Sequence, residues 1–144
     1  MWADTLLALE RGHLLRLLVW ALTSILVGTA VMAWSIVRRQ DASMLRHFAI
    51  QMAAWGAVDA AIVAWGWQGL ALRDFAAAQR LVNFLWLNTG LDVGYIAVGV
   101  TLALLGWRWG QRLGAIGAGL GVIVQGLALT LLDVRLIVLI GPLQ

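Results

Sequence analysis

Three aspartates in apolar surroundings, Asp59, Asp92 and Asp133, are the residues of this chain best suited to chemistry. Asp92 belongs to the stretch Asn88-Thr89-Gly90-Leu91-Asp92-Val93-Gly94-Tyr95. There an amide, a carboxylate and a phenol fall at i, i+4 and i+7, which is one face of a helix. Gln51, Trp55 and Asp59 stand at successive i+4 steps, and Gln125 precedes Asp133 by eight residues. A carboxylate in an apolar setting is costly unless it is paired or takes up a proton. Crowded into one dry layer, three of them cannot all be ionised together. Such a set suits proton binding, or binding of a small polar or cationic ligand. Ionisable residues at membrane depth are functional candidates by default; the plainer alternative is a structural network in which a protonated Asp bonds across helices. The candidate ligand- or proton-binding set is Asp59, Asp92, Asp133, Asn88, Tyr95, Gln51, Gln125, Arg16 and Trp55.

The elements that must position these residues are long and apolar. Of 144 residues, 62% are hydrophobic and 12% charged. Soluble domains run at about 45–50% and about 25%. Segments at about 14–37, 45–67, 82–107 and 113–140 each reach the roughly 20 residues that a membrane helix needs. The expected fold is all-α, one four-helix transmembrane bundle over residues 1–144. Residues 1–13 read as an amphipathic lead with Asp4 or Thr5 as a cap, not as a signal peptide. Gln68 to Arg80 reads as a short helix lying at the interface, and Asp41 or Ser43 as the cap of the second span. Most tryptophans fall near span ends, as an aromatic belt requires; Trp20 and Trp55 do not, and read as core packing.

Composition excludes several classes. There is no cysteine, hence no disulfide and no thiolate metal site. Every basic side chain is Arg, the net charge is +3, and no clustered basic face suggests nucleic acid. Gly110, Gly114, Gly117, Gly119 and Gly121 lack the strand and the Lys-Ser/Thr of a phosphate loop. Gly110/Gly114 and Gly117/Gly121 read better as GxxxG helix-packing pairs, as do Ser24 and Gly28 as a small-residue pair. His13 and His47 fall at opposite membrane sides and read as surface histidines. No Ser/His/Asp set is evident, so the chain is read as non-enzymatic, with no cofactor.

A shift of 74 residues brings Arg38 onto Arg112, Gln51 onto Gln125 and Asp59 onto Asp133. This suggests two repeated helical hairpins of equal orientation. Spans two and four would then run the same way, with Asp59 and Asp133 at one depth, about 12 Å from the segment ends at helical rise. Asp92 would lie about 9 Å in from the same side. Arg16 enters from that side on span one, so an Arg16–Asp92 pair is expected. Arg135, two residues from Asp133, points the other way.

The motifs Phe48-x-x-Gln51-x-x-x-Trp55-Gly56-x-Val58-Asp59, Asn88-x-Gly90-Leu91-Asp92-x-x-Tyr95, and Gln125-Gly126 with Asp133 carry a resemblance over nearly the whole chain. The chain resembles a bacterial family of small four-span membrane proteins of uncharacterised function. The resemblance implies a multi-pass protein of the bacterial inner membrane and supplies no mechanism.

The expected function is that of an integral membrane protein binding protons or a small polar or cationic ligand at an intramembrane carboxylate layer. A small proton-coupled transporter acting as a dimer is one alternative, and an accessory subunit of a larger membrane complex is another. A lipid-modifying enzyme is the most distant. Partners are membrane lipids, with a homodimer or a larger membrane complex as the assembly, and no nucleic acid. Arg38, Arg39, Arg46, Arg108 and Arg112 face Arg11, Arg16, Arg73 and Arg80 across the membrane, with Arg135 added if it snorkels that way, a nearly even split. The compact Arg38-Arg39 turn favours that side as cytoplasmic.

Overall fold

The computed structural model describes residues 2–38 and 43–143. They form α1 (Trp2–Val37), α2 (Ser43–Gln68), α3 (Phe75–Arg108) and α4 (Leu113–Ile140), followed by a 3-10 turn at Gly141–Leu143. The fold is an all-α four-helix bundle, and each helix is long and apolar enough to cross a membrane. The proposed cap Asp41 lies outside the described residues, as does Arg39.

α1 and α3 begin well before their apolar spans. No proline interrupts Trp2 to Val37, and its two glycines, Gly12 and Gly28, are each tolerated inside a helix at about 1 kcal/mol. Asp4 falls in the first turn, where its charge suits the helix dipole. α3 starts where Asp74 caps it: Asp74 Oδ1 accepts from the Ala77 N–H at 2.7 Å, and Ala76 to Ala78 then favour helix. The two helices hold 36 and 34 residues, or about 50 Å each at helical rise, against about 30 Å of hydrocarbon. The surplus of both projects from one end of the bundle. There Leu6 packs with Ala78, Val82 and Leu85 of α3 and with Leu136 and Ile140 of α4. The Trp2 indole donates to the Leu143 carbonyl. The expected separate lead and short helix are therefore corrected: Trp2 to His13 continue into α1, Phe75 to Arg80 open α3, and both ends pack on this apolar cluster.

Two antiparallel hairpins, α1–α2 and α3–α4, pack through small residues. A Cβ added at Gly56 would stand 2.8 Å from the Ala21 carbonyl oxygen, and one at Gly99 2.7 Å from the Gly119 carbonyl oxygen. Under the 74-residue shift Gly56 falls on Thr130 and Gly99 on Ile25, so these close approaches do not repeat. The repeat rests on coincidences in the sequence, polar positions and the apolar pairs Ile50 with Val124, Ile62 with Leu136 and Val63 with Ile137. Gly110 is corrected too: it turns the chain between α3 and α4 with φ 76° and meets no neighbouring helix. Gly114 packs on the His47 ring, Gly117 on the Met44 main chain and Gly121 on Gln51.

α2 and α4 stand side by side in the middle of the bundle. The Gln125 amide donates to the Met52 carbonyl at 3.5 Å across a separation of 73 residues. With Gly117 on Met44, Gly121 on Gln51 and Gln125 on Met52, the numbers rise together along both helices, so α2 and α4 run in the same direction with Asp59 and Asp133 at similar depth. α1 also leans on α4, whereas α2 and α3 pack far less closely than these pairs.

Candidate functional site

The gap left between α2 and α3 is a cavity of 740 Å³. α4 and the first half of α1 form its back wall. Asp59, Asp92, Asp133, Asn88, Tyr95 and Trp55 all line it. The fold brings these six together because antiparallel α2 and α3 face each other across the gap, while parallel α4 matches α2 in depth. Trp55 lies one turn from Asp59, and Tyr95 one turn from Asp92. Their rings meet at 5.0 Å between centroids, tilted by 58°, and close the cavity toward the bundle centre. The carboxylates sit just beyond that aromatic pair.

Asp59 is 1% exposed, Asp92 5% and Asp133 8%. The three lie within Coulombic reach of one another. Neither oxygen of Asp59 has a hydrogen-bond partner among the described residues, and neither does Oδ2 of Asp92. Asp133 Oδ1 faces His13 Nε2 at 3.4 Å. No three His, Asp or Glu side chains among the described residues are arranged to hold a metal ion.

The other three candidates lie off the cavity. Gln125 is buried and serves as a structural tie: its Oε1 accepts from the Trp20 indole at 2.7 Å, and its amide reaches Met52. α1, α2 and α4 meet at that one side chain. Gln51 packs against Gly121 of α4. Arg16 is half-buried and makes no pair with Asp92. Its guanidinium folds back over Gly12, so that a Cβ there would lie 3.4 Å from Nη2, and its Nε has no partner. The expected Arg16–Asp92 pair is corrected for two reasons. Arg16 stands off the buried stripe of α1, and long basic side chains on a helix lean toward its N-terminus and out to water.

Two partners escaped the sequence reading. Glu10 is buried and takes a two-pronged ion pair from Arg73, with Nε at 2.5 Å and Nη2 at 3.1 Å. His13 is buried against Asp133 and is not a surface histidine, whereas His47 is exposed and bonds back to the Ser43 carbonyl. The signal was present. Leu6, Glu10, His13, Leu17, Ala21, Ser24 and Gly28 are the buried residues of α1 between its ends. They advance in steps of four or three, the stripe of a helix packed along a bundle. Ser24 and Gly28, extended backward at that period, lead to His13 and Glu10.

These features define a helical membrane-spanning bundle with an acidic cavity opening between two of its helices. The chain belongs to a family of unknown function, DUF6992, whose family model matches residues 16–134. The matched region contains all three aspartates and excludes Glu10 and His13. No curated protein and no solved structure matches the chain.

Proposed function

We propose that the α2–α3 cavity binds a small cation, either a proton or an organic ammonium group, on Asp59 and Asp92. One observation carries the reading: a buried carboxylate, Asp59, lines a cavity and has no partner on either oxygen. An ionised carboxylate so placed is costly until a positive charge joins it. The faces of Trp55 and Tyr95 beside it suit a cation as well, since aromatic faces attract positive charge. Gln51, Gln125 and Arg16 do not line the cavity and stand outside the ligand set proposed.

Asp59→Asn is expected to abolish the stabilisation of the purified protein by methylammonium, read as a rise in thermal midpoint with ligand concentration. A ligand at a hundredfold its dissociation constant stabilises by about 2.7 kcal/mol, enough for a clear shift. An equal shift in the Asn variant would overturn the assignment of Asp59.

The same reading places the protein in a bacterial inner membrane with the Arg38 end cytoplasmic, because Arg-rich short turns are retained on that side. Ser43 and Ala76 lie exposed at opposite ends. Single cysteines there are clean probes in a chain that has none. Labelling of intact cells from outside is expected at Ala76→Cys alone. Labelling at Ser43→Cys alone would reverse the orientation, and labelling at both would mean dual insertion.

A further inference from the structure

The cavity has two characters. Its floor is acidic, with Asp59, Asp92 and Asp133 all buried. Its lateral rim, between α2 and α3, is apolar and open. Val58 of α2 is 46% exposed and Leu91 of α3 51% exposed, although both line the cavity. Each precedes an aspartate by one residue, so each stands on the lip of its helix beside the buried carboxylate. Ile62 and Phe84 continue the two lips and are also exposed. Below the Trp55–Tyr95 contact no tightly packed helix pair seals this side, because α2 and α3 pack far less closely than α2 and α4 or α3 and α4. The lips belong to the apolar stretches of spanning helices, so the open side faces lipid tails and not water.

Toward the helix ends the cavity is also lined by Glu10, Gln68, Arg73 and Arg80, a polar approach, whereas the lateral opening between α2 and α3 offers an apolar one. That opening admits a molecule that is itself half apolar. Resting on the cation reading above, we propose that the ligand is a single-chain amphiphile with a cationic ammonium head. The head sits on Asp59 and Asp92 beneath the Trp55–Tyr95 pair, and the alkyl tail leaves between Val58 and Leu91 into the bilayer. The geometry matches both ends of such a molecule. The carboxylates supply the charge that the head needs, and the lips supply the apolar contact that the tail needs. The carboxylates are spread around the cavity and not gathered as metal ligands, which suits a bulky ammonium head. Arg73 is engaged by Glu10, so it leaves the cavity floor acidic.

The test is a chain-length series on the protein in nanodiscs: methyl-, butyl-, octyl- and dodecylammonium, with binding corrected against empty discs and referred to the free aqueous concentration. Affinity is expected to rise with tail length, by up to about fourfold for each methylene that is removed from water. Val58→Trp with Leu91→Trp narrows the lips. It is expected to lower the ratio of dodecylammonium to methylammonium affinity by tenfold or more. Equal affinity along the series, or a ratio unmoved by the tryptophans, would overturn the amphiphile and leave the cation site standing. Absence of binding by every member would overturn the cation site itself. A single cysteine at Val58 that cross-links to a second copy in the membrane would show the lips covered by protein, and that too would overturn the proposal. If the double variant fails to fold, Val58→Trp alone gives the same ratio.

Discussion

Arg73→Ala is expected to destabilise the protein by about 3 kcal/mol, the lower edge of the range for breaking a buried ion pair. The Glu10 carboxylate is only 6% exposed in its side chain and takes both hydrogen bonds from the Arg73 guanidinium. Removing Arg73 leaves that charge buried with nothing to offset it. The lower edge applies because the Arg73 side chain keeps 28% of its surface. Thermal unfolding in detergent checks this against Arg80→Ala, an exposed arginine whose loss is expected to cost about 0–1 kcal/mol. Equal midpoints for the two would mean that the pair contributes nothing. The double variant Glu10→Leu with Arg73→Leu is expected to recover most of the loss, because apolar replacement of a whole buried pair is often neutral.

Gly117→Leu is expected to cost about 3 kcal/mol or more, since forcing side-chain volume into a packed interface typically costs about 1–3 kcal/mol. A Cβ at Gly117 would collide with the Met44 main chain, and main chain has no rotamer to escape into. α4 would have to move off α2, taking the Gln125 bonds to Trp20 and Met52 with it. Gly90 and Gly94 offer the opposite sign. A Cβ at either meets nothing within 4 Å, so Gly90→Ala and Gly94→Ala are each expected to stabilise by about 0.5–1 kcal/mol through helix propensity. Unfolding midpoints of the three variants decide it. Loss of stability in Gly90→Ala would mean that another chain or a ligand packs on that face.

The correction at Arg16 changes what Asp92 does. With the expected pair, Asp92→Ala would strand a buried cation. Without it, Asp92→Ala removes a buried carboxylate that has an unpartnered oxygen, so little stability depends on it. Asp74 also changes character. It caps α3, and its replacement by Ala is expected to cost about 1 kcal/mol.

Hydropathy alone determined the four helices, because an 18-residue apolar run in a chain this poor in charge has few other fates. It also marked Asp59, Asp92 and Asp133, since a carboxylate within such a run stands out against its neighbours. The i, i+4 and i+7 spacing placed Asp92 with Asn88 and Tyr95 correctly, because one helix fixes which of its own residues share a face. Partnerships between helices were another matter. Arg16 and Asp92 matched in depth along the membrane normal, but depth does not say which way each helix is turned about its axis. That rotation is set by close packing: Gly56 on Ala21, Gly99 on Gly119, Gly117 on Met44. It gives the inward face of α1 to Glu10 and His13 and turns Arg16 aside. The extended ends of α1 and α3 were hidden for a related reason. Their sequences are mixed enough to lie at an interface, and Leu136 and Ile140, fifty residues or more away in the chain, complete the apolar cluster on which both ends pack. The open side between α2 and α3 is the most tertiary feature of all. Each lip is an ordinary apolar helix face, and only the absence of a helix packed across it makes the aspartates reachable from that side.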